Sequence, residues 1–333
     1  MNPAEVNLKH IERVKPSLRY DGTIPFEDWK KAAKEKLCEL LGMDKIERCE
    51  NAAFAIEYTK ELDGYTEYRF TVQSEPGYTV PCVMRVPKKK EGKVPLIICL
   101  QGHSTGFHIS LGTPIYEGDE KLISGGDRDF CVRAVQEGFA AVAIEQRNFG
   151  ERRVENGHGC QLSSHAALLV GRTTIGERVH DVSTVIDALT ENFDFFDKDN
   201  IMLMGNSGGG TATYYTACLD ERIKVAMPSC AVCTYKASIG AMFHCACNFI
   251  PNIAMYFDMG DLAGLIAPRK LIVVNGRNDD IFPADGVEES YEIIKELYKT
   301  AGAPDNCALV TGEGGHRFYA DDAWPVLHKM SGM

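Results

Sequence analysis

The sequence has no excess of positive charge and no long apolar run. Its 333 residues carry 47 acidic and 36 basic side chains, which gives a formal net charge of −11. Binding to nucleic acid or to an anionic membrane relies on a basic surface, so we expect neither as a partner. The apolar stretches also fall short of the roughly 20 residues that a membrane-spanning helix needs.

A secretory leader is not visible either. The chain starts MNPAEVNLKHIERVKP, which is charged and contains no apolar segment of the kind that a signal peptide carries. We therefore expect a cytoplasmic protein. The twelve cysteines should then stay reduced, and many of them should be buried as small hydrophobic side chains rather than paired in disulfides.

The pattern of apolar residues near the N-terminus predicts a helical extension that precedes the main domain. Residues 1–50 are assigned as an N-terminal helical extension, because 25–43 has the period of an amphipathic helix that stops at Gly42. Its apolar side is formed by Trp29, Ala33, Leu37, Leu40 and Leu41. Alternating stretches at 52–59, 66–74 and 78–87 then predict antiparallel strands.

From residue 94 onward, apolar strands alternate with helices. The predicted strands are 94–102, 139–146, 200–206, 222–229, 270–276 and 307–315, and the predicted helices are 128–138, 175–190, 208–218, 286–299 and a short terminal one. This order predicts a mostly parallel sheet flanked by helices, so we assign 51–333 to one α/β catalytic domain. Two stretches, 103–127 and 231–265, break the rhythm where such sheets bind ligands, and we expect them to cap a pocket.

One serine lies in a glycine-rich turn between a predicted strand and a predicted helix. The segment MLMGNSGGGTAT (202–213) contains Gly-Asn-Ser-Gly-Gly, the G-x-S-x-G pattern of a nucleophile on a sharp turn. Neighbours without side chains let the turn close, and the hydroxyl of Ser207 then projects at the end of the strand. Phosphate-binding loops are also glycine-rich, but no Lys-Ser/Thr follows here.

A serine needs a base to become a nucleophile, and the base needs a carboxylate. His316, in EGGHRF, directly follows the last predicted strand, whereas His328 lies in the terminal helix. The loop GRNDDIFP after strand 270–276 offers two carboxylates. We choose Asp279, with Asp280 as the second candidate, since the chain order Ser, Asp, His is typical of this arrangement.

Two backbone donors should stabilise the oxyanion that forms during acyl transfer. One is expected to be the N–H of Gly208, directly after the nucleophile. The other should come from the loop after strand 94–102, where the backbone N–H of His103 is our first choice and Ser104 the second. No cofactor and no metal are expected for this chemistry.

These motifs together give the chain a resemblance to the α/β-hydrolase superfamily, and within it to acetylxylan-esterase and dienelactone-hydrolase-like esterases. The resemblance spans about residues 20–328. Its most specific segments are WKKAAKEKLCELLGM, LQGHSTG, AIEQRNFGER, GNSGGGTAT, APRKLIVVNGRNDDIFP and GEGGHRFY. It implies an α/β-hydrolase fold with Ser207 as nucleophile, His316 as general base and acid, and Asp279 as the orienting carboxylate.

The chain departs from these families at two positions. Many relatives have His-Gly where this sequence has Gln101-Gly102, but a backbone donor does not depend on that side chain. Dienelactone hydrolases often carry a cysteine nucleophile, and the serine here favours ester chemistry. The expectation is therefore a serine carboxylesterase, plausibly an acetyl esterase acting on a small-molecule ester such as an acetylated oligosaccharide. An amidase, peptidase or thioesterase, a non-catalytic binding protein and a homo-oligomer stay open as alternatives.

A cysteine-rich segment has the spacing of metal ligands. It contains Cys230, Cys233, His244, Cys245 and Cys247. Zinc or redox chemistry is the alternative here, but the apolar composition favours the lining of a substrate pocket or packing in the core. Three arginines, Arg147, Arg152 and Arg153, could hold a substrate carboxylate, although we expect them to pair with the many acidic side chains nearby.

Overall fold

The computed structural model describes residues 2–49, 52–88, 92–154 and 159–332. Within these residues the strands form one nine-stranded sheet in the order β1-β2-β3-β5-β4-β6-β7-β8-β9. The strands are β1 (Phe54–Glu61), β2 (Tyr65–Glu75), β3 (Tyr78–Pro87), β4 (Val94–Leu100), β5 (Ala140–Ile144), β6 (Phe196–Asn206), β7 (Ile223–Ser229), β8 (Lys270–Gly276) and β9 (Cys307–Gly312).

The first three strands are antiparallel to one another, and β3 pairs antiparallel with β5. All pairings from β5 through β4, β6, β7 and β8 to β9 are parallel. The sheet is therefore mostly parallel with an antiparallel edge, which confirms the predicted α/β class. Parallel strands place their carboxyl ends at one edge, so the loops after β4, β6, β7, β8 and β9 meet there.

Helices cover both faces of the sheet. They are α1 (Pro3–Arg13), α2 (Phe26–Leu41), α3 (Asp119–Gly126), α4 (Phe130–Gln136), α5 (Gln161–Leu169), α6 (Thr174–Asn192), α7 (Gly208–Leu219), α8 (Ile253–Tyr256), α9 (Met259–Leu262), α10 (Ala284–Thr300) and α11 (Ala320–Ser331). In the part of the chain that the structure describes, none of them is long and apolar enough to cross a bilayer.

The central strands are apolar on both sides because each of their faces is covered by a hydrophobic core. In β4, Leu96 and Ile98 face the larger core, which also contains residues of α2, α6, α7 and α10. Ile97 and Cys99 of the same strand face the second core, beside α4 and α11. Because successive side chains point to opposite faces, a strand covered on both sides needs an unbroken apolar run.

The N-terminal segment joins the larger core. Trp29, Ala33, Leu37 and Leu41 of α2 are all buried there, as the predicted apolar side of this helix requires, and Leu40 packs at its margin. Gly42 ends the helix in the left-handed conformation at φ 71°, which a glycine adopts without strain. The division between an extension and a catalytic domain at residue 50 stays a prediction.

Several elements were not predicted from the sequence. The helices α1 and α5 were not assigned, and the stretches 103–127 and 231–265 contain the helices α3, α8 and α9 rather than loops alone. Three of these helices, α3, α8 and α9, are only four to eight residues long. Such short helices depend on tertiary packing and leave little periodicity to detect.

Candidate active site

The serine of the glycine-rich segment lies on a tight turn between β6 and α7. Ser207 has φ 56° and ψ −122°, a positive φ that is uncommon for a residue with a side chain. Its N–H donates a hydrogen bond of 2.8 Å to the carbonyl oxygen of Ser229, at the end of the neighbouring strand β7. The serine is half-buried while its neighbours Asn206 and Gly208 are buried, so the strained turn presents its side chain outward.

Glycine is required beside this serine because the backbone passes very close to its surroundings. A β-carbon added at Gly205 would lie 2.5 Å from the carbonyl carbon of Gly209 and 2.7 Å from the carbonyl oxygen of Leu100. No larger residue fits at such distances without moving the backbone. The glycines that marked the turn in the sequence therefore have a steric cause.

A histidine and a buried aspartate form a hydrogen-bonded pair on the loops after β9 and β8. Nδ1 of His316 lies 2.8 Å from Oδ2 of Asp279. The other carboxylate oxygen accepts the backbone N–H groups of Ile281 and Phe282 at 2.8 and 3.0 Å. Burial acts to raise the pKa of Asp279, but the hydrogen bond and charge of His316, together with these N–H donors, hold the pKa below its ordinary value. The carboxylate therefore stays ionised at neutral pH.

The two second-choice residues lie elsewhere. Asp280 is exposed, and the carboxylate that contacts His316 is that of Asp279. His328 lies in α11, where its Nε2 is 2.7 Å from Oε2 of Glu137. Of the carboxylates and histidines considered after the serine, the structure thus pairs Asp279 with His316.

The serine turn and the Asp279–His316 pair occupy the same edge of the sheet. Ser207 is hydrogen-bonded to Ser229, and the next residue, Cys230, lies against the pair. The sulfur of Cys230 and one ligand atom from each of Asp279 and His316 all lie within 4.8 Å of one another. The strand ends therefore bring the three predicted catalytic residues into one region.

The predicted oxyanion loop packs directly against the serine turn. A β-carbon added at Gly102 would lie 2.7 Å from the carbonyl oxygen of Asn206 and 3.0 Å from Cβ of Ser207. One added at Gly208 would lie 3.1 Å from Cε1 of His103. Gly208 is also the first residue of α7, where backbone N–H groups have no partner within the helix. The ring of His103 thus lies against Gly208, and the preceding residue, Gly102, lies against the backbone of the serine turn.

A buried glutamate holds this loop from beneath, and the sequence analysis missed it. Oε1 of Glu145 accepts a 2.8 Å hydrogen bond from Nε2 of Gln101, and its other oxygen faces the N–H groups of Phe107 and Glu151 at 3.3 Å. Burial raises the pKa of Glu145 to about 7. The only signal in the sequence is a polar Glu-Gln pair directly after the apolar strand β5.

Two of the three arginines in EQRNFGERR form buried ion pairs, and the third contacts the predicted oxyanion loop. Arg147 is paired with Asp181, Glu75 and Glu177 at 2.8, 2.5 and 3.5 Å. Arg152 lies 2.8 Å from Asp181, so both arginines form the structural ion pairs that were expected. Arg153 differs, because it is exposed and donates a 3.2 Å hydrogen bond to the carbonyl oxygen of Ser104 on the oxyanion loop.

A cavity of about 500 Å³ adjoins the oxyanion loop. Its lining includes His103, Phe149, Cys160, Leu168, His244 and Phe249. Ser207 itself is not part of this lining, and the cavity reaches the serine turn through His103, which lies against Gly208. Its size suits a small organic molecule. The cysteine-rich segment therefore contributes to a pocket, as its apolar composition suggested.

The cysteines of that segment are not grouped as their spacing suggested. Cys230 lies beside Asp279 and His316, and Cys233 is buried against the carbonyl oxygen of Pro283. Cys245 and Cys247 instead meet His103 and Cys160, with one ligand atom of each within 4.8 Å of the others. All twelve cysteines are free thiols in the structure.

A comparison with protein families assigns the chain. A model described as the Abhydrolase family matches residues 6–323. The chain belongs to this family. Among curated proteins it is similar to YtaP of Bacillus subtilis (strain 168), provisionally named a hydrolase, with 28% identity over 243 residues that cover 71% of this chain and 77% of that protein.

Several solved structures have the same fold as this member of the Abhydrolase family, although their sequences are less than 25% identical to it. One is a Bacteroides fragilis protein provisionally titled an acetyl xylan esterase, with a TM-score of 0.79 and 18% identity over 94% of this chain and 82% of that one. Another is a glucuronoyl esterase from Solibacter usitatus, with a TM-score of 0.71 and 14% identity over 96% and 98%. The predicted α/β-hydrolase fold is confirmed, and the chain is a member of a hydrolase family with esterases among its structural neighbours.

Proposed function

We propose that the protein is a serine carboxylic-ester hydrolase in which Ser207, His316 and Asp279 form a catalytic triad. The observation that carries the proposal is the 2.8 Å contact between His316 and the buried Asp279 at the sheet edge that also holds the strained turn of Ser207. A serine, a histidine and a carboxylate in this chain order, each on a loop after a parallel strand, are typical of serine hydrolases with this fold.

In the first half of the reaction, the hydroxyl of Ser207 attacks the acyl carbon while Nε2 of His316 takes its proton. Nδ1 of His316 keeps its own proton and donates a hydrogen bond to the ionised carboxylate of Asp279. The ring is thereby held in the tautomer that leaves Nε2 free. The developing oxyanion accepts hydrogen bonds from the backbone N–H groups of Gly208 and His103. The alcohol then departs with the proton that His316 carried, and an acyl-enzyme remains.

In the second half, a water molecule attacks the acyl-enzyme and gives its proton to His316. The second tetrahedral intermediate uses the same two N–H donors. When it collapses, Ser207 recovers its proton from His316 and the carboxylic acid is released. The cycle consumes one ester and one water and yields one acid and one alcohol, and no step draws on a cofactor.

A carbohydrate acetyl ester is the substrate class that we propose first. The cavity of about 500 Å³ beside His103 can hold a small ester, and neighbouring structures are named as esterases that act on sugar-derived esters. An amidase, a peptidase or a thioesterase would use the same three residues. The choice among them depends on how the pocket holds the leaving group.

The decisive experiment is a substrate panel run on the wild type and on Ser207→Ala. It contains acetyl and butyryl chromogenic esters, a peptidyl anilide, an acyl thioester, acetylated xylo-oligosaccharides and a glucuronoyl ester. We expect release of acetate from the acetylated oligosaccharides and from the acetyl chromogenic ester. Ser207→Ala should lose at least about 10⁴-fold in kcat, because a triad without its nucleophile retains only a residual rate.

A fluorophosphonate probe supplies an independent readout. It should label the wild type at Ser207 and leave Ser207→Ala unlabelled. Absence of labelling in folded wild-type protein would instead support a non-catalytic binding protein on this fold. Faster turnover of the anilide or the thioester than of every ester would replace the esterase assignment by one of the alternatives.

A further inference from the structure

Four side chains with metal-binding atoms meet at the floor of the cavity beside the oxyanion loop. They come from three separate parts of the chain, and they are His103, Cys160, Cys245 and Cys247. Nε2 of His103 lies 3.3 Å from the sulfur of Cys247 and 3.7 Å from that of Cys160. Cys160 and Cys247 are buried, Cys245 is half-buried and His103 is exposed. All of them except Cys247 line the cavity.

These distances match the geometry of a tetrahedral ion with sulfur and nitrogen ligands. Zinc binds thiolate sulfur at about 2.3 Å and imidazole nitrogen at about 2.0–2.1 Å, so its ligand atoms lie about 3.5–3.8 Å apart in a tetrahedron. The nitrogen–sulfur separation lies at the shorter end of that range, about 3.5 Å. The two observed nitrogen–sulfur distances, 3.3 and 3.7 Å, lie on either side of it. Four ligands that already lie within 4.8 Å of one another need only small movements to close on one ion.

A buried arginine beside the cluster is a second, independent observation. Arg178 of α6 is only 2% exposed. Its Nη1 lies 3.8 Å from the sulfur of Cys247, its Nη2 lies 3.8 Å from that of Cys160, and Nη2 also donates to the carbonyl oxygen of Arg147 at 3.0 Å. Among the described residues no carboxylate forms an ion pair with it. A buried cation needs compensating partners. Besides the ring of Phe149, whose centroid lies 4.5 Å from the guanidinium carbon, the groups that could carry a full negative charge there are the two sulfur atoms.

The charges balance if the sulfurs bind a divalent ion. Three thiolates and one divalent cation leave a net charge of minus one, and the guanidinium of Arg178 compensates it. Its N–H groups are also placed to donate to two of the sulfurs, as the groups around a zinc–thiolate site commonly do.

We propose that His103, Cys160, Cys245 and Cys247 form a structural site for Zn²⁺. Four protein ligands leave no open position for water or substrate, which is the pattern of a structural rather than a catalytic zinc. Soft thiolates in a tetrahedral set select zinc over hard cations such as Mg²⁺ or Ca²⁺. The site departs from the expectation of no metal, and it differs from the set suggested by Cys230-x-x-Cys233.

A disulfide among the three cysteines is the main competing chemistry. Formation of a disulfide would consume two thiols and leave Arg178 facing neutral sulfur. A disulfide that includes Cys247 would also remove the thiol that contacts the imidazole of His103 at 3.3 Å. The position of the arginine therefore favours the ion.

A bound ion would connect three separate chain segments that surround the cavity. His103 belongs to the loop after β4, Cys160 precedes α5, and Cys245 and Cys247 belong to the 231–265 insertion. One ion would fix the three segments against each other and hold the loop whose backbone carries the proposed oxyanion donor of His103. This positioning role rests on the proposed function, whereas the site itself does not.

The test of the site measures metal binding directly. Full-length protein is purified under a reducing agent, stripped with a chelator and loaded with Zn²⁺ or Co²⁺ alone. We expect about one tightly held ion per chain by elemental analysis after dialysis. The Co²⁺ protein should show the intense d–d bands of a tetrahedral site together with sulfur-to-cobalt charge-transfer absorption.

Matched variants locate the ion. Cys245→Ser and Cys247→Ser should lose the stoichiometric ion and the cobalt bands. Cys233→Ser, a buried cysteine of the same segment outside the cluster, should keep both. Arg178→Gln should retain the ligands but weaken zinc binding by about 10–100-fold, as expected for a group that hydrogen-bonds to the ligands.

Three outcomes would overturn the site. The first is that wild-type protein holds no stoichiometric ion after loading. The second is that both Cys245→Ser and Cys247→Ser bind the ion as well as the wild type does. The third is that mass spectrometry finds a disulfide among these cysteines in protein freshly purified under the reducing agent. The wild-type measurements decide the matter even if a serine variant fails to fold.

The positioning role has its own readout. If His103 is held by the ion, stripped protein should hydrolyse esters up to about 100-fold more slowly and recover with Zn²⁺, while Ser207 still reacts with a fluorophosphonate. An unchanged rate would overturn the positioning role and leave the site intact. If zinc-loaded wild-type protein had no hydrolase activity, the proposed function would be contradicted. The metal stoichiometry would still show whether the zinc site exists.

Discussion

Nδ1 of His316 lies 2.8 Å from Oδ2 of Asp279, although the two residues are 37 positions apart. The carboxylate is completely buried at its side chain, whereas the imidazole is 16% exposed. Such an arrangement anchors Nδ1 of the ring to a carboxylate whose other oxygen is itself fixed by two backbone N–H groups. It defines which tautomer the histidine adopts and therefore which nitrogen can act as a base.

Asp279→Asn should lower kcat for ester hydrolysis by about 10⁴-fold with little change in KM. An asparagine amide at this position can donate to the ring and favours the wrong tautomer, which is the basis of losses of that size in serine triads. The measurement is steady-state kinetics on a chromogenic acetyl ester. The neighbouring Asp280→Asn is the matched control and should stay within about threefold of the wild type. Equal losses in the two variants would contradict the assignment of Asp279.

Gly102→Ala should impair catalysis while leaving the fold intact. The added methyl group would lie 2.7 Å from the carbonyl oxygen of Asn206 and 3.0 Å from Cβ of Ser207, so either the oxyanion loop or the serine turn must move. A shift of about 1 Å at reacting groups costs about 100-fold in rate. We expect a loss of that order in kcat together with a melting temperature close to that of the wild type.

The control for this change is Gly125→Ala. At Gly125 an added β-carbon would meet only Cγ of Lys121, at the ordinary contact distance of 3.9 Å. That variant should keep full activity. A Gly102→Ala protein with wild-type kcat would argue against a productive contact between this loop and the serine turn.

Much of the fold could be predicted because the information is local. The unbroken apolar runs of β4 and β8 reflect burial on both faces of the sheet, and the observed bounds of β3 and β8 equal the predicted ones. In β3, however, all residues from Val80 to Pro87 are buried, so both of its faces are covered along most of its length rather than one in alternation. The turn around Ser207 was visible because close backbone approach excludes every residue except glycine at its flanks. His316 and Asp279 could be chosen as candidates because each lies in a short loop after a strand, and the structure places them in contact.

The rest depends on contacts between distant parts of the chain. Cys160 meets His103 across 57 positions, and Cys247 meets it across 144. Nothing in the local sequence ties these residues together, whereas the regular spacing pointed to a set with Cys230 and Cys233, which lie outside this cluster. Glu145 was missed for the same reason, since its partner Gln101 lies 44 residues away on another strand end.

The buried ion pairs around Arg147 should dominate the stability of the region beneath the loops. Arg147→Met would leave Asp181 and Glu75 buried with fewer partners, and removal of one member of a buried ion pair typically costs about 3–5 kcal/mol. Denaturant unfolding of the two proteins measures the difference. For comparison, Lys34→Met removes an exposed pair with Glu221 and should change stability by less than about 1 kcal/mol. Similar small effects in both variants would show that the buried network is dispensable for stability.

Glu145 should make stability decrease as pH rises. Its pKa is raised by burial from 4.5 to about 7. Between these two values the folded state binds more protons than the unfolded state, so the free energy of unfolding falls with increasing pH across this window. The full effect is present below pH 4.5 and is lost once pH passes about 7. A shift of this size corresponds to at most about 3 kcal/mol.

Glu145→Gln removes the titrating group, so the stability of the wild type minus that of the variant should fall steadily from about pH 4.5 to 7 and then level off. This difference isolates the slope from any constant cost of placing an amide beside the N–H groups of Phe107 and Glu151. Urea unfolding at half-unit pH intervals measures it, with Glu120→Gln on the exposed side of α3 as a control for the loss of a surface carboxylate. Because Glu145 also supports Gln101 on the oxyanion loop, we expect the unfolding data to be accompanied by a lower kcat in the variant. A flat difference across the window would mean that Glu145 does not hold a proton in the folded protein at mildly acidic pH.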